Sequence, residues 1–480
     1  MSTRLLSLSA LLCVLTAPFC LNSVAAPAVT AKQGFHAARL PASFFAGNRA
    51  RLLAELKKMG SGTIAVIKSM PEQNRNGDST HMYRQDSDFY YLTGVEEPEA
   101  VAVLDADSNQ AYTLYVRKRD QRREAYDGAR LGVEGALKLG ANKAESFPAA
   151  EESLKNVVNK AQRVVLVSNF DEDFRRKMLD WIYPFGSDNN HSSHKRILVD
   201  GRHIVSEMRL IKQAAEIDML QRAVDVTIAG HFSAMKASLT ATNEGEVAGG
   251  FQGTVRSMGA RFTGYDTIAG AGRNSCVLHY LTNDHDIEAG SLMLLDAGAE
   301  VGFYTADVTR TWPVSGQFSK EQKAIYELVL KAQNAAIDLV KPGRVHHEGF
   351  DTAMRILSDG LVDLGLLQGD KDSVYKSGAY SRFTMHGISH WIGLDVHDSG
   401  DYQMEAGKRG GRRVLVPGMA LTVEPGIYIP KDANDVDAKW RGIGVRIEDV
   451  ILVTPEGNRN MSDKLPRTVK DVEAVLKKSN

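Results

Sequence analysis

Two aspartates, Asp296 and Asp307, stand eleven residues apart in LLDAGAEVGFYTADVTRT, a stretch that otherwise reads as apolar strand. Leu292 to Leu295 and Val308 to Trp312 flank Glu300-Val301-Gly302-Phe303, the pattern of a hairpin. If it is centred between Val301 and Gly302, this hairpin sets the two carboxylates directly opposite one another. Their Cβ atoms are then about 5 Å apart, where like charges destabilise a strand pair unless something positive lies between them. Downstream, TMHGISHWIGLDVHD carries His386, His390 and His397. Gly387 and Gly393 argue against a helix, and the even spacing of His386 and His390 also puts them on one face of a strand. LTVEPGIYIP and GIGVRIEDVILVT each place a glutamate, Glu424 and Glu448, inside an apolar run, where an unpaired buried carboxylate is prohibitively costly.

Two aspartates, two glutamates and a histidine form a hard, oxygen-rich ligand set with one nitrogen. Two divalent cations would balance its four negative charges. The absence of cysteine argues against a closed structural zinc site and suits Mn, Co, Fe or catalytic Zn. Two such ions about 3.5 to 4 Å apart can activate water and polarise a carbonyl, which is the machinery of metal-assisted hydrolysis.

The elements that must position these residues follow from the apolar patterning. A helix-like stretch from Phe44 to Met59 precedes short apolar runs at Thr63 to Ile67, Ala100 to Leu104, Tyr112 to Val116 and Val164 to Val167, several separated by helical patterns. That alternation predicts an α/β domain with a mixed sheet. Polar His191-Ser-Ser-His-Lys195 and Asp200-Gly-Arg202 precede a helix beginning near Glu207, and the domain boundary is placed near residue 205, within about ten residues. The second half mixes helices near 208–238, 319–340 and 347–365 with strands at 292–296, 305–312, 419–429 and 443–454.

The chain has 480 residues, enough for two or three domains, and a formal net charge of −1, so no polyanion-binding surface is indicated and nucleic acid is excluded as a partner. MSTRLLSLSALLCVLTAPFCLNSVAA reads as a secretory signal peptide of residues 1–25, with cleavage after Ala25. Export to the periplasm or medium is therefore expected. Large residues before Cys13 and Cys20 disfavour a lipoprotein, and removal of the leader leaves Cys276 alone, a small buried apolar residue unable to form an internal disulfide. No later run is long enough for a stable membrane anchor.

The order, spacing and context of Asp296, Asp307, His390, Glu424 and Glu448 resemble the dinuclear pita-bread metallopeptidases: methionine aminopeptidase, prolidase and aminopeptidase P. CVLHY with His279, DAGAE…ADVTRTWPVSGQFS, HGISHWIGLDVHD, VLVPGMALTVEPGIYI and RGIGVRIEDV extend the likeness over most of residues 205–455. YRQDSDFYYLTGVEEPEA at 83–100 resembles the aminopeptidase P and prolidase branch in particular. The resemblance implies an α+β protein: a mixed α/β domain at 26–205, similar to that of aminopeptidase P, then a pita-bread catalytic domain at 206–480.

It also implies roles. Asp307 would chelate one metal and His390 bind the other, with Asp296, Glu424 and Glu448 completing the set. Glu424 would shuttle the proton, His279, His386 and His397 would contact the substrate, and Arg446 would support the metal shell. Two divalent ions are implied, Mn2+ ahead of Co2+ or Zn2+, together with proline-containing peptide substrates and a homo-oligomer, dimer or tetramer. Serine between His386 and His390 points to an Xaa-Pro aminopeptidase. The nearest alternative is an Xaa-Pro dipeptidase, for which one of Arg409, Arg412 and Arg413 could hold the proline carboxylate. A pita-bread amidinohydrolase or a binding protein would be expected to lack the full ligand set.

Overall fold

The structure, a computed structural model, describes residues 39–167, 171–183, 196–403 and 411–478. The leader at 1–25, the His191 to Lys195 segment and Arg409 lie outside the described residues. Among the described residues, no helix is long and apolar enough to cross a membrane.

The amino-terminal half is built on a six-stranded mixed sheet. Its order is Lys143–Ser146, Tyr112–Val116, Val101–Asp105, Thr63–Lys68, Arg163–Leu166 and Ile197–Asp200. The central strand Thr63–Lys68 is buried along its whole length, pairing antiparallel with Val101–Asp105 and parallel with Arg163–Leu166. Continuous apolar composition is what a strand covered on both faces requires. A short helix, Ser87–Thr93, is capped by the Asp86 carboxylate, which accepts from the Phe89 amide, and ends on Gly94 in the left-handed region. It brings Phe89, Tyr90 and Tyr91 into the core shared with the second half.

In the second half, Ala214–Ala237 and Glu244–Ser257 pack together on one side, and Lys320–Ile337 and Glu348–Asp363 on another. The expected single helix at 208–238 is instead two, Arg202–Leu210 and Ala214–Ala237, with Glu216 accepting from the Gln213 amide at the second start. Ser319 and Gln322 form a reciprocal capping box that fixes the start of Lys320–Ile337.

Short antiparallel sheets lie between the helix pairs. One places Leu292–Asp296 between Ile268–Ala271 and Thr309–Pro313, and another places Asp449–Thr454 between Ala420–Val423 and Gly457–Asn460. Three expected strands are interrupted, and each interruption falls at or beside an acidic residue. The 305–312 run divides into Tyr304–Thr305 and Thr309–Pro313 around Asp307. The 419–429 run divides at Glu424-Pro425, where proline has no N–H to continue a ladder, and the 443–454 run divides at Ile447-Glu448.

The hairpin register also differs from expectation. Asp296 stands opposite Thr309, not Asp307, because Glu300 pairs with Thr305 and Val301 with Tyr304 around a turn at Gly302-Phe303. Both turn residues have positive φ, +56° and +73°, as a two-residue turn of this hand demands. Glycine adopts that conformation freely, whereas Phe303 is held there by stacking on Tyr90, with ring centroids 3.7 Å apart. Gly298 permits the close approach just beyond Asp296, since a Cβ there would meet the Ala306 carbonyl oxygen at 1.7 Å.

Candidate metal centre

Nine of the residues singled out from the sequence line one cavity of about 550 Å³: His279, Asp296, Asp307, His386, His390, His397, Glu424, Arg446 and Glu448. Asp296 ends its strand, and Asp307, Glu424 and Glu448 occupy the breaks, where the backbone is free to turn a carboxylate inward. His390 and Ile388 run beside Ala420–Val423 as irregular extended chain. The Thr422 amide donates to the His390 carbonyl at 2.9 Å and the Glu424 amide to the Ile388 carbonyl at 2.8 Å. The segment around His386 is neither helix nor regular strand. The even spacing of the histidines therefore does not make a two-histidine strand face.

Ligand atoms of Asp307, His390 and Glu448 all lie within 4.8 Å of one another. His390 Nε2 is 3.3 Å from Asp307 Oδ2 and 3.6 Å from Glu424 Oε1, while Nδ1 lies 3.0 Å from the Trp391 carbonyl, which can only accept. With Nδ1–H donating there, Nε2 is the ring atom left facing two carboxylates, and a cation between them would bind all three.

The same need is visible in the acid–base balance. Burial, reinforced by Asp296, drives the Asp307 carboxyl well above the usual range. Burial and Glu448 do the same to Glu424, and burial with Asp307 and Asp296 to Glu448. Such groups must take up protons or hold cations. Among the described residues lining the cavity, Arg446 is the one arginine or lysine. It places Nη2 2.6 Å from Asp296 Oδ2 and donates from Nη1 to the Tyr428 hydroxyl at 2.8 Å. The donor set therefore fits divalent cations, with oxygen-rich ligation and one imidazole suiting hard or borderline ions.

Three further polar groups that the sequence did not mark complete the arrangement. The Tyr265 hydroxyl lies 2.5 Å from both Asp296 Oδ1 and Asp307 Oδ1, although its one proton can serve only one of them at a time. The Tyr428 hydroxyl accepts from Arg446 and donates to His386 Nε2 at 2.7 Å, while His386 Nδ1 donates to the Gly387 carbonyl at 2.6 Å. Thr309 Oγ1 donates to Glu448 at 2.7 Å. Thr309 and Tyr428 are ordinary strand composition, and Tyr265 stands in the bend between Phe262–Thr263 and Ile268–Ala271, so no pattern distinguished them.

Burial pushes His386 and His397 down to about 4, reinforced by Arg446 for the first and by His390 and His279 for the second. The His397 ring stacks on His390 with centroids 4.0 Å apart. Arg412 and Arg413 do not line the cavity. Arg413 pairs with Glu207 at 2.7 Å and Arg412 lies 3.6 Å from Asp351, so neither is placed to receive a substrate carboxylate. Cys276 is half-buried rather than buried, and its thiol donates to the Ile429 carbonyl.

Residues 218–455 match metallopeptidase family M24, and residues 45–166 match the aminopeptidase P amino-terminal domain. The chain is 39% identical over 443 residues to the Xaa-Pro aminopeptidase of Haemophilus influenzae, covering 92% of this chain and 98% of that one. The structure of Pseudomonas aeruginosa aminopeptidase PepP aligns with a TM-score of 0.87 at 41% identity, over 92% of this chain and 99% of that one. Zinc-substituted Escherichia coli aminopeptidase P in complex with product aligns with a TM-score of 0.85 at 36% identity, over 92% and 99% of the two chains.

Proposed function

The chain belongs to metallopeptidase family M24, with an aminopeptidase P amino-terminal domain ahead of the catalytic one, and from that membership we propose that it is a metal-dependent Xaa-Pro aminopeptidase. It hydrolyses the bond between a free amino-terminal residue and a following proline. The observation that carries this reading is the convergence of Asp296, Asp307, His390, Glu424 and Glu448 on one cavity, faced by His279, His386 and His397.

A pair of divalent cations, when bound, supplies Lewis-acid polarisation of the scissile carbonyl and acidifies a water toward neutrality. The five acidic and imidazole side chains hold that pair, with Mn2+ the expected ion and Co2+ or Zn2+ the alternatives. Arg446 fixes Asp296 from behind, and the Thr309 hydroxyl fixes Glu448. Glu424, beside His386 and His390, takes a proton from the attacking water and returns it to the proline nitrogen, which leaves as a secondary amine. His386 and His397 are neutral near pH 7. They line the substrate side and orient the peptide without adding charge, and His279 closes the same wall.

Recognition of proline rests on ring shape and the free amine, because the scissile amide has no N–H. The positions of Arg412 and Arg413 support the aminopeptidase over the dipeptidase reading, since neither lines the cavity where it could hold a proline carboxylate. The leader-like Met1 to Ala25 supports export. A homo-oligomer, dimer or tetramer, is the expected assembly. The direct test is release of the first residue from matched peptides with proline or alanine at position two, with Mn2+ and with chelator. Release from the alanine peptide at an equal rate would overturn proline specificity, and full activity in chelator would overturn metal dependence.

A further inference from the structure

We propose that Arg84, in the amino-terminal domain, is a positioning residue that ties together the two loops carrying Asp307 and the His390–His397 pair; the importance of those loops rests on the peptidase reading above. Arg84 does not line the cavity. Its Nε donates to Glu300 Oε2 at 2.7 Å, and its Nη2 donates to the Leu394 carbonyl at 2.7 Å. Glu300 belongs to the hairpin between Asp296 and Asp307, and Leu394 to the turn between His390 and His397. The same guanidinium lies over the Phe303 ring, 5.4 Å from its centroid, at the tip of that hairpin. The remaining nitrogen, Nη1, donates to Ser87 Oγ at 3.0 Å and to the Gln85 carbonyl at 3.1 Å, so the fork is anchored in its own domain.

Each loop also has an anchor of its own. Tyr90 stacks on Phe303. Buried Arg209 pairs with Asp88 and Asp395, each at 2.7 Å, and with Asp398, which Lys212 also holds at 2.9 Å. Ser87 donates to Asp395 at 2.6 Å. Arg84 differs from these in bonding both loops at once. The loops meet directly where the Thr305 amide donates to the Gly393 carbonyl at 2.8 Å, a contact Arg84 brackets from Glu300 on one side and Leu394 on the other. A rigid planar fork can span two acceptors in fixed directions, whereas a lysine is a single point donor. A shift of about 1 Å between catalytic groups is enough to cost on the order of 10²-fold in rate. A remote strut can therefore act on turnover without touching substrate.

The test compares full-length metal-loaded wild type, Arg84→Gln and Arg84→Lys by hydrogen exchange and by steady-state kinetics. In Arg84→Gln, exchange should rise about tenfold at both the Thr305 and Gly393 amides. Its kcat should fall about 10- to 100-fold while KM stays within about threefold. Arg84→Lys should restore protection at Thr305, through Glu300, but leave the 391–398 segment fast and kcat intermediate. Loosening of only one segment in Arg84→Gln, or a kcat within twofold of wild type, would overturn the proposal. If the Gln variant does not fold, the Lys variant decides, and wild-type exchange in both segments with wild-type kcat overturns it. Exchange is read without substrate, so failure of the wild type to cleave Xaa-Pro peptides would refute the peptidase reading and leave the positioning result to stand or fall separately.

Discussion

Asp296 and Asp307 share one donor: each sets a carboxylate oxygen 2.5 Å from the hydroxyl of Tyr265. Arg446 compensates Asp296 from behind at 2.6 Å, but burial and Asp296 drive the Asp307 carboxyl well above the usual range, so Asp307 is held as an anion only with a cation in the cavity. Asp307→Asn should lower metal content below that of wild type and abolish turnover. Metal analysis of the purified variant beside its kcat checks this, and full activity with unchanged metal content would sink the dinuclear assignment.

Glu424 lies within 3.7 Å of His386 Nδ1 and 3.6 Å of His390 Nε2. Glu424→Gln preserves shape while removing basicity, and kcat should drop by about 10² to 10⁴, the usual contribution of a general acid–base group. Metal content must be measured on the same sample. Near-normal turnover with two ions bound removes Glu424 from the mechanism.

Removing the metal should make stability depend on pH in a particular direction. Asp307, Glu424 and Glu448 have folded-state pKa values raised well above normal by burial and mutual repulsion. In the metal-free protein their folded state therefore binds more protons than the unfolded chain. The stability they contribute is complete below the unfolded carboxylate pKa of about 4 and is lost as pH rises through the folded values. His231 and His346, pushed down to about 4 by burial, act oppositely between about 4 and 6.5, but alike with and without metal. The increase in Tm on adding metal should therefore grow from pH 5 to pH 8, and an increment independent of pH across that range refutes this account.

Neither Arg412 nor Arg413 lines the cavity, and each is engaged with a carboxylate elsewhere. A peptide beginning Xaa-Pro with one further residue should be cleaved with higher kcat/KM than the Xaa-Pro dipeptide. Hydrolysis of the dipeptide alone would make the enzyme a prolidase and Arg409 the first residue to mutate.

The mature protein should begin at Ala26 and be recovered outside the cytoplasm. Intact mass decides, and a soluble cytoplasmic chain running from Met1 to Asn480 refutes export.

The residues that converge on the cavity were legible in the sequence because carboxylates inside apolar runs have few affordable explanations. Asp296, Asp307, Glu424 and Glu448 share that signature, and His390 joins them through spacing and resemblance. The register of the hairpin was not legible, because it depends on Phe303 accepting a positive φ that only its tertiary partner Tyr90 makes tolerable. Nor were the strand breaks at Asp307 and Glu448, since apolar composition continues through them and hydropathy cannot register where a ladder stops; the break at Glu424 was marked by Pro425, which cannot continue a ladder. Tyr265 and Tyr428 were missed because their hydroxyls matter only through partners far along the chain.

The breaks also govern when the centre can come into being. At two of them the backbone bonds to a segment distant in sequence: the Glu448 amide to the Thr309 carbonyl, and the Glu424 amide to the Ile388 carbonyl. The side-chain bond between Thr309 and Glu448 closes a span of 139 residues. Contacts at such separation cost loop entropy before they return any stability, and they form after local structure. A nascent chain can complete its amino-terminal sheet, and even the hairpin bearing Asp296 and Asp307, while Glu424 and Glu448 remain unsynthesised or unplaced. The full set of cavity carboxylates is then assembled late in the maturation of the chain, after its local structure has formed.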